Sequence, residues 1–267
     1  MSHPQSFQDL ISYDLGRRTI SWSERDAILY ALACGAKATD LDLVWERDLK
    51  VLPGIVAALG LWAVEACGDL GVYDRKKSLH VSQDLVIHAA LPASGSFETT
   101  GKVVGVYDRQ KATIVLIEVS CAAFSATYSI FLPGIGGWGG EAPPAPAVRD
   151  AEMREVGRFQ TSPEQAVLYR LTGDLHPVHV DFEVAKAYGF ERPILHGLCT
   201  LGIALRALAP ALGCHPADLA RASARLSAPV LPGDELTILA GETAEGTVFE
   251  VRVGERAVLK DGFAAFR

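Results

Sequence analysis

Hydrophobic positions along the chain fall into two kinds of run. Over residues 54–67, and again over about 197–209, apolar side chains are dense enough to predict two buried helices. Elsewhere they alternate with polar ones, which is the period of a strand with one buried face. Residues 81–90, 96–107 and 113–120 follow the first helix in this way, the last of them rich in β-branched side chains. Residues 222–229, 235–241, 248–253 and 257–266 follow the second. One long apolar helix per half, wrapped by an antiparallel sheet, is an α+β plan.

The two halves also echo each other in sequence. Ala27-Ile28-Leu29-Tyr30-Ala31-Leu32 resembles Ala166-Val167-Leu168-Tyr169-Arg170-Leu171, and Leu91-Pro92 resembles Leu231-Pro232. Pro53-Gly54 opens the first helix where His196-Gly197 opens the second, so three landmarks recur at an offset of about 140 residues. A duplicated unit is expected, with repeats over 1–132 and 151–267 that place their sheets side by side. Residues 133–150 join them as a Gly/Pro-rich connector. Gly134, Gly136 and Gly139 have the spacing of a phosphate-binding loop, but Glu141-Ala142-Pro143-Pro144 stands where its helix should begin. A flexible connector is the better reading.

Composition narrows the partners. A net charge of -7 leaves no basic excess for a nucleic-acid surface. The longest apolar stretch, residues 55–66, carries Glu65 and is too short to span a bilayer. No secretory pattern opens the chain, so a cytoplasmic location is expected. Cys34, Cys67, Cys121, Cys199 and Cys214 form no CxxC pair and read as small buried apolar side chains.

The chemistry concentrates after Tyr169. Gly173 and Pro177 bracket a turn that presents Asp174, His176 and His179 from a loop. A carboxylate beside an imidazole can hold one water and exchange its proton. Gly197, opening an apolar helix, offers a backbone N–H to a developing oxyanion and lets a ligand approach. Plainer roles are open to the same residues, Asp174 as a turn cap, His179 as a core histidine and His196 as a helix cap. Asp174, His176, His179 and Asp181 are metal-ligand types, but Pro177 breaks the helical spacing that would align two imidazoles, and no metal is expected.

At these residues the chain resembles the MaoC-like hydratases of the hot-dog fold, and within them the type 2, (R)-specific enoyl-CoA hydratases that also form a domain of peroxisomal multifunctional enzymes. Tyr169, Leu171, Thr172, Gly173, Asp174, Pro177, Val178, His179 and Ala185 match the family signature, and Pro-Ile-Leu-His-Gly-Leu-Cys-Thr follows at 193–200. The likeness is specific over 166–206 and agrees in plan along the whole chain.

It implies a double hot-dog in which Asp174 and His179 share the catalytic water and the Gly197 N–H is the oxyanion donor. The substrate would be an acyl-CoA thioester, with CoA as part of the substrate and no separate cofactor. His196, Arg206 and Arg225 are the candidate substrate-binding residues, the two arginines for the CoA phosphates. The first repeat has Gly35-Ala36-Lys37 where the signature should be and no paired histidine. It would be inactive and make room for the acyl chain. A homodimer is expected, since a lone duplicated sheet leaves edges to cover.

A hot-dog thioesterase and a noncatalytic acyl-CoA binding module are the rival functions. One departure from the family stands out, because the signature's Asn is His176 here. A larger, ionisable ring in the water's hydrogen-bond network should alter turnover or pH dependence. Comparing His176→Asn with the parent checks this; identical rates and pH profiles would make the exchange silent.

Overall fold

The alternating segments form one sheet of ten strands, every neighbouring pair antiparallel, in the order β1-β3-β4-β5-β2-β7-β10-β9-β8-β6. In this computed structural model residues 3–267 are described apart from 146, 148 and 150. Positions 1 and 2 of the expected first repeat, and these three of the expected connector, lie outside the described residues. β1 (Asp14–Trp22), β2 (Leu79–Ile87), β3 (Gly95–Asp108), β4 (Ala112–Ser120) and β5 (Phe124–Pro133) make one half of the sheet. β6 (Arg154–Gln160), β7 (Leu219–Leu226), β8 (Glu235–Thr243), β9 (Gly246–Val253) and β10 (Arg256–Phe266) make the other. The halves meet where Gln83 pairs with Ala224 and Leu85 with Ala222. This is the α+β double hot-dog plan.

The expected second helix is Gly197–Ala211, buried on nearly every side from Leu198 to Leu205. A helix without a polar face has to be wrapped, and the second half of the sheet does so. The first helix departs from expectation. It breaks into Ile55–Leu59 and Trp62–Asp69 because Tyr128 Oη donates to the Ala57 carbonyl at 2.6 Å, diverting that acceptor from the helix. A side chain at Gly60 would place its Cβ 2.4 Å from the same phenol oxygen.

Three strands were not expected. β1 and β6 are the sheet's edges and carry many exposed positions, while β5 alternates cleanly and is buried on one face. The start of the connector is also more ordered than its composition suggests. The Asp108 carboxylate accepts the N–H groups of Gln110, Gly137 and Gly139 at 2.8–2.9 Å, and these bonds hold its pKa below the usual carboxylate range. Two glycine amides are thus already committed, which argues against phosphate there.

The second half closes the end of a helix in the first. Helix Glu24–Ala33 finishes with carbonyls that lack intrahelical donors. Gln165 Nε2 donates to the Ala33 carbonyl at 2.7 Å, and Arg206 Nε to that of Cys34 at 2.8 Å. Gly35 makes this approach possible, with φ of +82° and Phe159 where a Cβ would lie. Arg206 is 12% exposed, so Arg206→Leu leaves a buried carbonyl unpaired and should destabilise the fold by about 1–3 kcal/mol. Denaturant unfolding measures this, and an unchanged midpoint would contradict the latch.

Candidate active site

The loop after Tyr169 is shaped by two residues without freedom to vary. Gly173 has φ of +140°, and an added Cβ would lie 3.1 Å from the Ala58 carbonyl of the first half. Pro177 opens a one-turn 3-10 helix, Pro177–His179, that turns His179 back toward Asp174. His179 Nε2 lies 3.9 Å from Asp174 Oδ2. The gap is too long for a direct hydrogen bond, yet one water oxygen can sit about 2.8 Å from both atoms.

The protonation states follow from partners and burial. His179 Nδ1 is 2.8 Å from the Ile194 carbonyl, so in the neutral ring this nitrogen donates and Nε2 keeps its lone pair facing Asp174. Burial pushes its pKa down to about 4, partly offset by that bond. Burial raises the pKa of Asp174, with the His176 N–H to Oδ1 at 3.1 Å acting against it. Burial thus disfavours charge on both members of the pair, and neutral His179 turns an acceptor nitrogen toward the Asp174 carboxyl.

His196 packs below His179, the ring centroids 3.6 Å apart and the planes 23° from parallel. Gly197 follows it as the first residue of the buried helix, where an N–H has no carbonyl one turn earlier. A Cβ at Gly197 would lie 2.6 Å from Leu226 Cδ1 on β7, so sheet packing also demands glycine there. His176 uses both ring nitrogens, Nδ1 accepting the Val178 N–H and Nε2 facing Tyr188 Oη, each at 3.3 Å. Its ring centroid stands 6.3 Å from that of His179.

Asp174, His179 and His196 each offer a ligand atom within 4.8 Å of the others. The near-parallel stack disfavours a shared ion, because each imidazole lone pair lies in its own ring plane. Cysteine nucleophiles are disfavoured too. All five thiols are free, and burial pushes Cys34 up to about 12 and Cys67 to about 11.

The two arginines expected at the CoA phosphates each have partners within the protein. Arg206 sits between the halves in the latch already described, near Asp40 and the Phe159 ring. Arg225 lies on the outer face of β7 and pairs with Asp261 at 2.8 Å. Sequence reasoning missed Tyr188 and the Ile194 carbonyl, the partners that fix the two histidine rings. Proximity to the 193–200 motif was the available signal for Ile194; Tyr188 had none.

A double hot-dog with a carboxylate–imidazole loop facing a glycine helix start defines a class of hydratase-like folds. Residues 146–262 match the MaoC like domain and residues 20–132 the MFE-2 hydratase 2 N-terminal domain, and the chain belongs to this MaoC-like, hydratase 2 family. It is 35% identical to the 3-hydroxyacyl-thioester dehydratase Y of Mycobacterium tuberculosis, over 90% of this chain and 91% of that one. It is 32% identical to the peroxisomal enoyl-CoA hydratase 2 of Arabidopsis thaliana, over 92% and 90%. The crystal structure of a MaoC-like dehydratase from Phytophthora capsici superposes with a TM-score of 0.85 at 27% identity, covering 97% of this chain and 98% of the other.

Three imidazoles are held neutral by burial, His80 and His179 with pKa about 4 and His196 about 2. Unfolding restores values near 6.5, so the unfolded chain takes up more protons and stability falls as pH drops below about 6.5. Asp174, with its raised pKa, opposes this, while His176, also lowered by burial, adds to it. The melting temperature should decline from pH 7 to pH 5; a flat or rising curve would contradict the neutral, buried assignments.

Proposed function

We propose that the protein is an (R)-specific 2-enoyl-CoA hydratase, acting in reverse as a (3R)-hydroxyacyl-CoA dehydratase. The observation that carries this reading is the 3.9 Å separation of Asp174 Oδ2 and His179 Nε2, two acceptors set to grip one water beside the Gly197 helix start. The water oxygen bonds to C3 of the enoyl group while the pair takes one of its protons. C2 receives a proton on the same face, so the pair is returned unchanged. Negative charge gathering on the thioester oxygen meets the Gly197 N–H, strengthened by the helix dipole.

His176 acts from the edge of this site, its ring pinning the 3-10 turn against Tyr188 and its backbone N–H holding Asp174 Oδ1. The first repeat, 1–132, supplies the seat for the loop at Ala58 and the space for the acyl chain. CoA is part of the substrate and no further cofactor is used. Residues 133–150 connect this repeat to the catalytic one, 151–267. The protein works as a homodimer in the cytoplasm. Among the described residues no helix is long and apolar enough to cross a membrane.

Incubation with crotonyl-CoA separates this reading from its rivals. Loss of the enoyl absorbance at constant free thiol is the expected result, with a product oxidised only by a (3R)-specific dehydrogenase. Thiol release would instead make the protein a thioesterase, and no change a binding module. Asp174→Asn and His179→Gln should each lower kcat by about 10²–10⁴-fold with little change in melting temperature.

A further inference from the structure

His196 is 1% exposed and stands directly before Gly197, yet it does not serve the helix as an N-cap: its side chain accepts no N–H of the first turn. Its ring lies between Tyr169, at 4.9 Å between centroids, and His179, at 3.6 Å. Its Nε2 is 3.2 Å from the backbone carbonyl of Asp174. That carbonyl can only accept, so Nε2 carries the proton and donates. The remaining nitrogen, Nδ1, is buried with no hydrogen-bond partner among the described residues.

A phenyl ring would fill the space between Tyr169 and His179 without the orphaned Nδ1 acceptor, but it would take the Nε2 donor away from the Asp174 carbonyl. Imidazole has one advantage over it, the N–H aimed at Asp174. We propose that His196 is a positioning residue that ties the Asp174–His179 loop to the helix beginning at Gly197. This rests on the hydratase reading above.

Three parts of the reaction lie on two separate pieces of chain. Asp174 and His179 belong to the loop, and the Gly197 N–H to the helix. The stack fixes the plane of His179 and the Nε2 bond fixes the backbone of Asp174. Both restraints issue from the residue covalently joined to Gly197, so one imidazole sets the spacing of the water relative to the oxyanion donor. Displacing such groups by about 1 Å can cost a hundredfold in rate without loss of binding. The ring also stays neutral, through burial and the adjoining His179, Arg170 and His176. A neutral face beneath His179 does not oppose the proton that His179 gains during turnover, as a cation there would.

His196→Phe keeps the stack and removes the donor, while His196→Gln removes the stack and keeps an N–H. The phenylalanine variant should lose about 100-fold in kcat with KM within about threefold, while staying folded with a melting temperature lowered by no more than about 5 °C. The glutamine variant should recover part of that loss. A nitrogen-detected NMR spectrum of His179 supplies a readout independent of turnover. The parent should show a single Nδ1–H tautomer, and the phenylalanine variant a mixed or broadened signal.

Parental kcat in folded His196→Phe would overturn the proposal, as would a loss accounted for by the unfolded fraction alone. So would an unaltered His179 spectrum. If the parent itself does not hydrate crotonyl-CoA, the hydratase reading fails, and the NMR comparison still decides whether His196 positions His179.

Discussion

The Gly197–Ala211 helix has no face it can leave in water, and the rest of the structure follows from covering it. Its residues from Leu198 to Leu205 are buried on all sides. A curled antiparallel sheet covers most of this helix while keeping polar side chains on the sheet's outer face, and Tyr30 and Cys34 of the first half close over it at Gly202. The enclosure also determines where reactive groups can sit. A fully buried helix has one end at which unpaired backbone N–H groups meet a ligand, and the Asp174 loop folds across that end.

Burial gives the loop its chemistry. In water a carboxylate and an imidazole this close would form an ion pair, with the imidazole charged below about pH 6.5. Here the low-polarity surroundings penalise charge on both groups, pushing His179 down to about 4 and Asp174 up. The Ile194 carbonyl settles which nitrogen of His179 keeps its proton, and the His176 N–H holds one oxygen of Asp174. What remains facing the gap is one lone pair and one carboxylate oxygen. Among the described residues neither has a protein donor, and a water molecule suits both.

The two halves share a plan and differ where it matters. The second half keeps one continuous helix, whereas Tyr128 and Gly60 break the helix of the first between Leu59 and Trp62. Gly173 rests beside Ala58, just before that break, so the first half meets the loop by backbone contact. The latch of Gln165 and Arg206 onto the end of the Glu24–Ala33 helix holds this contact in place. Together with the β2–β7 ladder and the Arg221–Asp84 pair across the same seam, these caps leave little freedom for sliding.

The sequence by itself determined the two-fold plan, the long second helix and most strands, because each depends on local periodicity that a single segment displays. It also determined the loop of Asp174 and His179, where Gly173 and Pro177 constrain the backbone locally. Edge strands β1 and β6 were not legible, since a strand paired on one side carries polar residues on both faces. The break at Gly60 depended on a hydroxyl from Tyr128, distant in sequence. Tertiary structure alone decided the fate of the cations. Arg206 and Arg225 look alike as exposed charges in a string of letters, but one caps a carbonyl between the halves and the other pairs with Asp261 on the outer face. It alone stacked His196 on His179, a relation fixed by how the loop crosses the helix, to which no local pattern responds.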